Sequence, residues 1–400
     1  MRAGPYGATA ARPYFEGLLP DGMRRERFER ELGLDPGDTL GLLAELGGDC
    51  PGAVLVLPEG ERPGEPGPGA LDWLTDAELE ELLEVPPPAL FDPEDELRMR
   101  FALPGERHKL ALVRDEENDR WAWPRPGTPS THVVKPETGE HPDFVANELA
   151  CTAALRSLGL PLAPLKPMTI AGRLCAVAPR VDRDGEAPPL AARHMETFWQ
   201  ALGFAPGAER AAGERERPGF ADSARLLGEI GEPEAVETLF RYGVACFLLG
   251  DHGDDIARRR DRHGRECSLL LRRGGATLGP FFGVASTEVY DRNERYAATS
   301  PDSMERGFAY GGLLRVGTEC EREPLPAIMT ALELCGLLVR ALGAAARRAT
   351  EEGWYRPVID EVLRVAAARS TRLLEEAGEV IQGPDGQPLR EALEERRRRR

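Results

Sequence analysis

Residues 131–136 read THVVKP, and the lysine in that run, Lys135, is one of only three in the chain, with Lys109 and Lys166, among 51 basic residues. Where arginine is the default cation, a retained lysine suits a place that wants a compact ammonium on a flexible stem and not a planar fork. Glu148 is its natural counter-charge. On the helix expected over 143–159, Phe144, Glu148, Cys151 and Leu155 share one face. That spacing puts a carboxylate into an apolar stripe, where it needs a partner. A strand lysine held by a helix glutamate can aim an ammonium at phosphate groups; it can equally be an ordinary semi-buried salt bridge. Upstream, LPGERHK (103–109) is a turn containing Gly105 that leads into a strand. Its amides, beside Lys109, can cradle a phosphate, although Pro-Gly turns are common in any role. Asp251, His252, Asp254 and Asp255 crowd together, but neighbours in one loop rarely converge on a metal, so a solvated loop is the simpler reading. His108, His132 and His194 read as structural or solvated.

These residues need elements to hold them. Four β-like runs, HKLALVR (108–114), DRWAWP (119–124), THVVKP and RLCAVAPRVD (173–182), surround one helix opened by Asp143 and closed by Gly159. They make a small α+β lobe. Before it, Asp21 and Asp38 are placed to cap two short helices, and GAVLVLP (52–58) reads as a strand. EGERPGEPGPGA (59–70) reads as a mobile linker, and LTDAELEELLE (74–84) as an acidic helix with Thr75 as N-cap. Beyond residue 190 the pattern is mostly helical, with runs near 193–203, 233–250, 325–350 and 356–377. The expected organisation is therefore an N-terminal region (1–60), a linker with its short helix (61–97), a β-rich lobe (98–188), a helical lobe (189–385) and a disordered arginine-rich tail (386–400). No internal repeat is visible.

Four hundred residues with 41% apolar content suffice for a sizeable core in two or three domains. A net charge of −17 argues against the body of the chain gripping nucleic acid, and the terminal RRRRR reads as a solvated tail. The seven cysteines are scattered without a C-x-x-C pair, so they read as small core residues and not as disulfides or a zinc site. The apolar stretches VACFLLG (244–250) and CGLLVRALGAAA (335–346) are too short or too charged to span a bilayer, and no signal-peptide apolar region opens the chain. A cytoplasmic protein without membrane contact is expected. No G-x-S-x-G elbow or complete G-x-G-x-x-G supports a hydrolase or a dinucleotide-binding reading.

Taken in order, these segments resemble the HipA family of bacterial serine/threonine kinases, the toxin halves of type II toxin–antitoxin pairs. ARPYFEGLLPDGMRRERFERELGL and LLAELGGDCPGAVLVLPEG resemble the family's N-terminal region, and FALPGERHKLAL its phosphate loop. STHVVKP resembles its ATP-lysine strand, NELACTAALRSLGL the helix carrying the paired glutamate, and RHMETFWQALG a signature of its C-lobe. The resemblance implies a two-lobed, protein-kinase-like α+β fold, with a small β-rich N-lobe and a mostly helical C-lobe. It implies ATP as the ligand of Gly105, Lys109, Lys135 and Glu148. AVAPRVDR (176–183) is similar to the hinge, where Asp182 would face the ribose, and Pro179 replaces the glutamate usual there.

The departures lie at the catalytic centre. The family's catalytic loop reads G-N-x-D-x-H-x-K-N, with the aspartate as base and the asparagine as metal ligand. Here the base position falls on Gly253, Asp254 comes one residue late, and Glu266 stands at the asparagine's place. A second metal aspartate, in the family's P-x-Y-D segment, is matched by Gly283 within LGPFFGVAST. The phosphate loop carries Glu106-Arg107-His108, and Ala102 replaces a serine that relatives can phosphorylate. General-base and metal losses together remove most of what drives phosphoryl transfer. The expected protein is a pseudokinase that keeps an ATP pocket and lacks a Mg2+ site. The alternatives are an active kinase using Asp254 as base and Glu266 as metal ligand on an aminoacyl-tRNA synthetase, or an interaction module that needs no nucleotide. The chain's start also matches a point inside the family's N-terminal region. A HipB-like antitoxin or a separate small protein supplying the missing subdomain is the implied partner.

Overall fold

The computed structural model describes residues 7–60, 62, 71–84, 102–105, 107–125, 127–137, 139, 141–184, 191–204, 218, 220–251, 266–290, 317, 318, 320, 323–382 and the single positions 387, 391, 394 and 398. Gly253, Asp254 and Glu106 lie outside the described residues, as do most of the linker at 59–70 and most of the arginine-rich tail. The architecture is α+β, as expected, and it divides into two compact units. The first comprises 1–145, 163–218 and 264–282, and the second 146–162, 219–263 and 283–400. The units therefore do not follow the five consecutive segments read from sequence, because non-local pairing draws both the N-terminal helices and residues 264–282 to the sheet-bearing unit.

The first unit opens with α1 (Ala8–Glu16), α2 (Gly22–Glu31) and α3 (Thr39–Leu46). The extra helix, α1, has Gly7 at its N-cap, which offers no side-chain acceptor, so it carries no start signal. Asp38 caps α3 through Gly41 N–H, whereas Asp21 makes no capping bond to α2. Then come β1 (Leu71–Trp73), α4 (Asp76–Leu82), β2 (Leu110–Asp115), β3 (Arg120–Pro124), β4 (His132–Pro136), α5 (Phe144–Ser157), β5 (Lys166–Ile170) and β6 (Arg173–Pro179). Thr75 and Glu78 form a complete capping box on α4. The strands make a six-stranded antiparallel sheet in the order β1-β3-β2-β4-β6-β5. Two of them were not anticipated. β1 is only three residues long, and β5 contains Pro167, which sheets tolerate at an edge.

GAVLVLP is not a strand. Val56 N–H bonds to Gly47 O, and Val54 and Val56 lie against the core while Leu55 is exposed, so one-sided packing produces the alternation. The start of α5 holds a second carboxylate beside Asp143. Asp143 has a left-handed φ of 60°, and the Glu137 carboxylate accepts from Phe144 N–H and Val145 N–H. One core joins the helical region to the sheet, with Leu18, Phe28 and Leu46 clustered with Leu110, Val134 and Val177.

The unit is completed by β7 (Arg183–Asp184), β8 (Ala191–Ala192), β9 (Met195–Thr197), α6 (Phe198–Ala201), β10 (Ser268–Arg272) and β11 (Gly275–Leu278), with a second sheet in the order β11-β10-β9. The helix expected from residue 193 starts only at Phe198, because Met195–Thr197 pair with β10.

The second unit holds α5 from Ala146 onward, α7 (Phe220–Glu229), α8 (Pro233–Leu249), α9 (Pro324–Glu351) and α10 (Val358–Gln382). α8 ends on Gly250 in a left-handed C-cap. By length and composition α9 is apolar enough to cross a membrane, which corrects the expectation that no segment is. It contacts α8 and α10 and buries Leu334, Leu338 and Leu342. All seven cysteines are buried free thiols.

Candidate functional site

The turn 103–109 bends at Gly105, whose φ is +99°. The Lys109 ammonium folds back onto the Pro104 carbonyl, and a side chain at position 105 would strike it, its Cβ lying 2.6 Å from Nζ. Gly105 and Lys109 thus form one compact structure. Arg107 lies over Phe144, its guanidinium carbon 3.3 Å from the ring centroid. His108 Nε2 is 3.0 Å from Leu82 O, and since a carbonyl only accepts, Nε2 carries the proton. Burial depresses the His108 pKa to about 4, so the ring is neutral at pH 7. Arg24, on α2, reaches both ends of the turn, donating from Nη1 to Leu103 O at 3.0 Å and from Nη2 to Lys109 O at 3.4 Å. Ala102 N–H donates to Asp49 O at 3.1 Å.

Lys135 lies on β4 opposite Ala176 of β6, half-buried in the first unit. β6 leads directly into the 180–183 segment, where Asp182 has a different environment from the one the resemblance implied. Its Oδ1 accepts from Arg180 Nε at 3.0 Å, and its Oδ2 from Arg180 Nη2 at 2.7 Å, Arg183 Nη1 at 2.9 Å and Gly52 N–H at 2.6 Å. Asp49 joins Arg180 at 2.9 Å and Arg183 at 2.8 Å, and none of the four side chains is more than 4% exposed. Burial would raise the Asp182 pKa, but the two guanidinium groups and the Gly52 N–H outweigh it and hold it at about 2. The carboxylate assigned to a ribose is engaged in a buried ion cluster that fastens Asp49–Gly52 to the end of β6. Gly52 is confined there, with φ +76° and only 2.9 Å between an added Cβ and the Met195 backbone. Gly52→Ala is expected to lower stability by about 2 kcal/mol, read from urea unfolding.

In the second unit Glu148 is buried, 3% exposed, on α5. Its neighbour Asn147 was not singled out from sequence, yet it organises this region. Its Oδ1 accepts from Ser286 N–H at 2.9 Å and Cys151 Sγ at 3.3 Å, while Nδ2 donates to Ser286 O at 2.8 Å and Tyr290 Oη at 3.3 Å. Thr287 and Glu288 N–H both bond to Gly250 O, and Arg369 of α10 pairs with Glu288 at 2.6 Å. The segment following Gly283 is therefore pinned to α5, to the C-cap of α8 and to α10. Gly283 itself has φ +76°, a conformation that favours glycine. Glu266 belongs to the first unit, just before β10, and its backbone carbonyl accepts from Phe282 N–H. Among the described residues no three His, Cys, Asp or Glu side chains assemble as a metal set.

Asp49, Arg180 and Arg183 were legible only as charges flanking Asp182 and Cys50. Arg24 gave no signal, since an arginine on a charged helix looks solvated.

Comparison with known proteins places these elements. Residues 1–57 match the HipA N-terminal domain and residues 101–337 the HipA-like C-terminal domain. The Sinorhizobium fredii protein named "Putative kinase Y4mE" is 32% identical over 295 residues, covering 72% of this chain and 67% of its own length. The Shewanella oneidensis protein named "Serine/threonine-protein kinase toxin HipA" is 25% identical over 300 residues, covering 71% of this chain and 65% of its own. The chain thus aligns with about two thirds of the length of these relatives. A solved structure of the Shewanella oneidensis MR-1 HipA, HipB and operator DNA complex contains a chain of the same fold, with a TM-score of 0.69, 20% identity, and 92% of this chain and 84% of that one covered. With a domain match over more than half its length and the Y4mE likeness across about two thirds of both proteins, the chain belongs to the HipA family, with the kinase-like α+β fold of that family.

Proposed function

We propose that this HipA-family protein is a pseudokinase: it binds ATP, transfers phosphoryl groups poorly or not at all, and acts through a partner in a toxin–antitoxin system. Gly283 carries the reading. By the resemblance it stands at the place of a metal-binding aspartate; it brings no side-chain donor, and it opens a segment whose backbone is engaged by Asn147 through Ser286. Among the described residues no carboxylate set for a Mg2+ ion assembles, so no step of a reaction is assigned to one.

ATP fits the residues better. The backbone about Gly105 and the Lys109 ammonium would face the phosphates and Lys135 would add a second ammonium, while Glu148 keeps only the role that the resemblance implies. Asp182 has no part in this, because both its oxygens serve the ion cluster. The Shewanella HipA structure contains HipB and operator DNA; by that likeness the partner is a HipB-like antitoxin.

The test is the thermal midpoint of the full chain with ATP, with and without magnesium. A ligand at one hundred times its Kd stabilises the folded state by about 2.7 kcal/mol. A magnesium-independent rise that Lys135→Met abolishes is the expected result. A magnesium-dependent rise accompanied by phosphoryl transfer that Asp254→Ala and Glu266→Ala remove would establish the active kinase instead, with an aminoacyl-tRNA synthetase as the first substrate to try. Absence of any rise would leave an interaction module.

A further inference from the structure

The phosphate turn is not held by the sheet alone. Its two ends, at Leu103 and Lys109, are bridged by a single guanidinium that comes from α2, far away in sequence, and Ala102 at its entry is held by the Asp49 carbonyl. We propose that Arg24 is a positioning residue for nucleotide binding: the N-terminal helical region sets the shape and the electrostatic potential of the 103–109 turn, and through them the affinity for a nucleoside polyphosphate. This inference rests on the nucleotide-binding reading above.

Geometry supports the first half. An arginine fork donates two roughly parallel hydrogen bonds at fixed spacing. When one fork takes carbonyls at both ends of a turn, it fixes the distance between those ends. The turn's own side chains complete the closure, with Lys109 on Pro104 O, His108 on Leu82 O and Arg107 on Phe144. Among the described residues, Leu82 of α4 and Phe144 of α5 supply two of these anchors, and Arg24 and Asp49 two more. The latter two come from the N-terminal helical region, and Arg24 is the one whose side chain spans the turn.

Chemistry supports the second half. Arg24 is only 7% exposed. Burial drives its pKa down to about 10, with Asp21 opposing, and it stays charged at neutral pH. If closing the turn were the whole task, a neutral amide would donate to the same carbonyls with a far smaller desolvation penalty. A cation retained directly behind a turn of backbone amides raises the potential where phosphate oxygens would sit, and it does so in a medium that screens it little.

Three variants of the full chain separate closure from charge. Arg24→Lys keeps the charge, Arg24→Gln keeps an uncharged donor, and Arg24→Met keeps only the stem. Each is read by amide hydrogen exchange over 102–110 without nucleotide and by ATP affinity from calorimetry, with exchange in β2, β4 and β6 as the folding control. Arg24→Met should speed exchange in 102–110 at least tenfold and weaken ATP binding about tenfold or more. Arg24→Gln should leave exchange nearly unchanged yet still weaken ATP, and Arg24→Lys should restore most of the affinity. If Arg24→Met does not fold, the contrast between the lysine and glutamine variants decides. Wild-type ATP affinity retained in both Arg24→Met and Arg24→Gln, or equal losses in the lysine and glutamine variants, overturns the role assigned to Arg24. A wild-type protein that binds no ATP overturns the nucleotide-binding reading and the affinity claim with it, an outcome distinct from either.

Discussion

Asp49→Ala is expected to destabilise the first unit by about 3–5 kcal/mol, the range for removing one partner of a buried ion pair. In a unit of this size that is a fall of roughly 10 °C in the thermal midpoint. The reason is the charge balance. Two guanidinium groups, Arg180 and Arg183, face two carboxylates, Asp49 and Asp182, at 2.7–2.9 Å with no side chain more than 4% exposed. Deleting Asp49 leaves two cations sharing one anion in a medium that screens poorly. It also strands donors on both arginines and on Ser130, whose N–H bonds to Asp49 Oδ2. The compensating variant sharpens the test. Asp49→Ala combined with Arg183→Met restores one charge of each sign, so the double variant should lose clearly less than the sum of the two single losses. Simple additivity in urea unfolding would show that the cluster does not act as a unit.

Stability should also fall as pH drops from about 6.5 towards 4, beginning above the range in which ordinary carboxylates titrate. Burial depresses both His108 and His132 to about 4, with Arg114 and Lys166 adding to the effect at His132. The sign follows from proton counting. Between pH 6.5 and 4 the unfolded chain binds protons that the folded one refuses, so acid favours unfolding across that window. The two rings together should account for about 3 kcal/mol, allowing for the solvent that reaches His132. A second loss should follow below pH 3.8, as Asp182, held at about 2, loses its charge-pairing advantage. His108→Gln keeps a donor for Leu82 O and removes the titration, so urea midpoints measured from pH 7.5 to 4.5 should slope less in that variant. A flat wild-type profile over this range would contradict the burial of both rings.

The sequence by itself determined the parts of this protein whose cause is local. Periodicity and turn residues located β2, β3, β4, β6, α5, α8, α9 and α10, and the Thr75 cap was legible because a capping box is contained within four residues. The order of short motifs was enough to name the family. The scarcity of lysine pointed to Lys109 and Lys135, and Lys109 does close its own turn.

What only the tertiary structure decided depends on partners distant in the chain. Pro167 masked β5 because its tolerance rests on the strand lying at the sheet's edge. GAVLVLP looked like a strand because packing on one side of a chain alternates side chains just as pairing does. Asp182 looked available to a ligand because nothing in RVDR shows that Asp49, 133 residues earlier, completes the cluster. Arg24 and Asn147 were invisible for the same reason: their acceptors and donors lie 79 and 139 residues away. A charge or an amide acquires its role from the groups it meets, and for these residues folding alone chooses them.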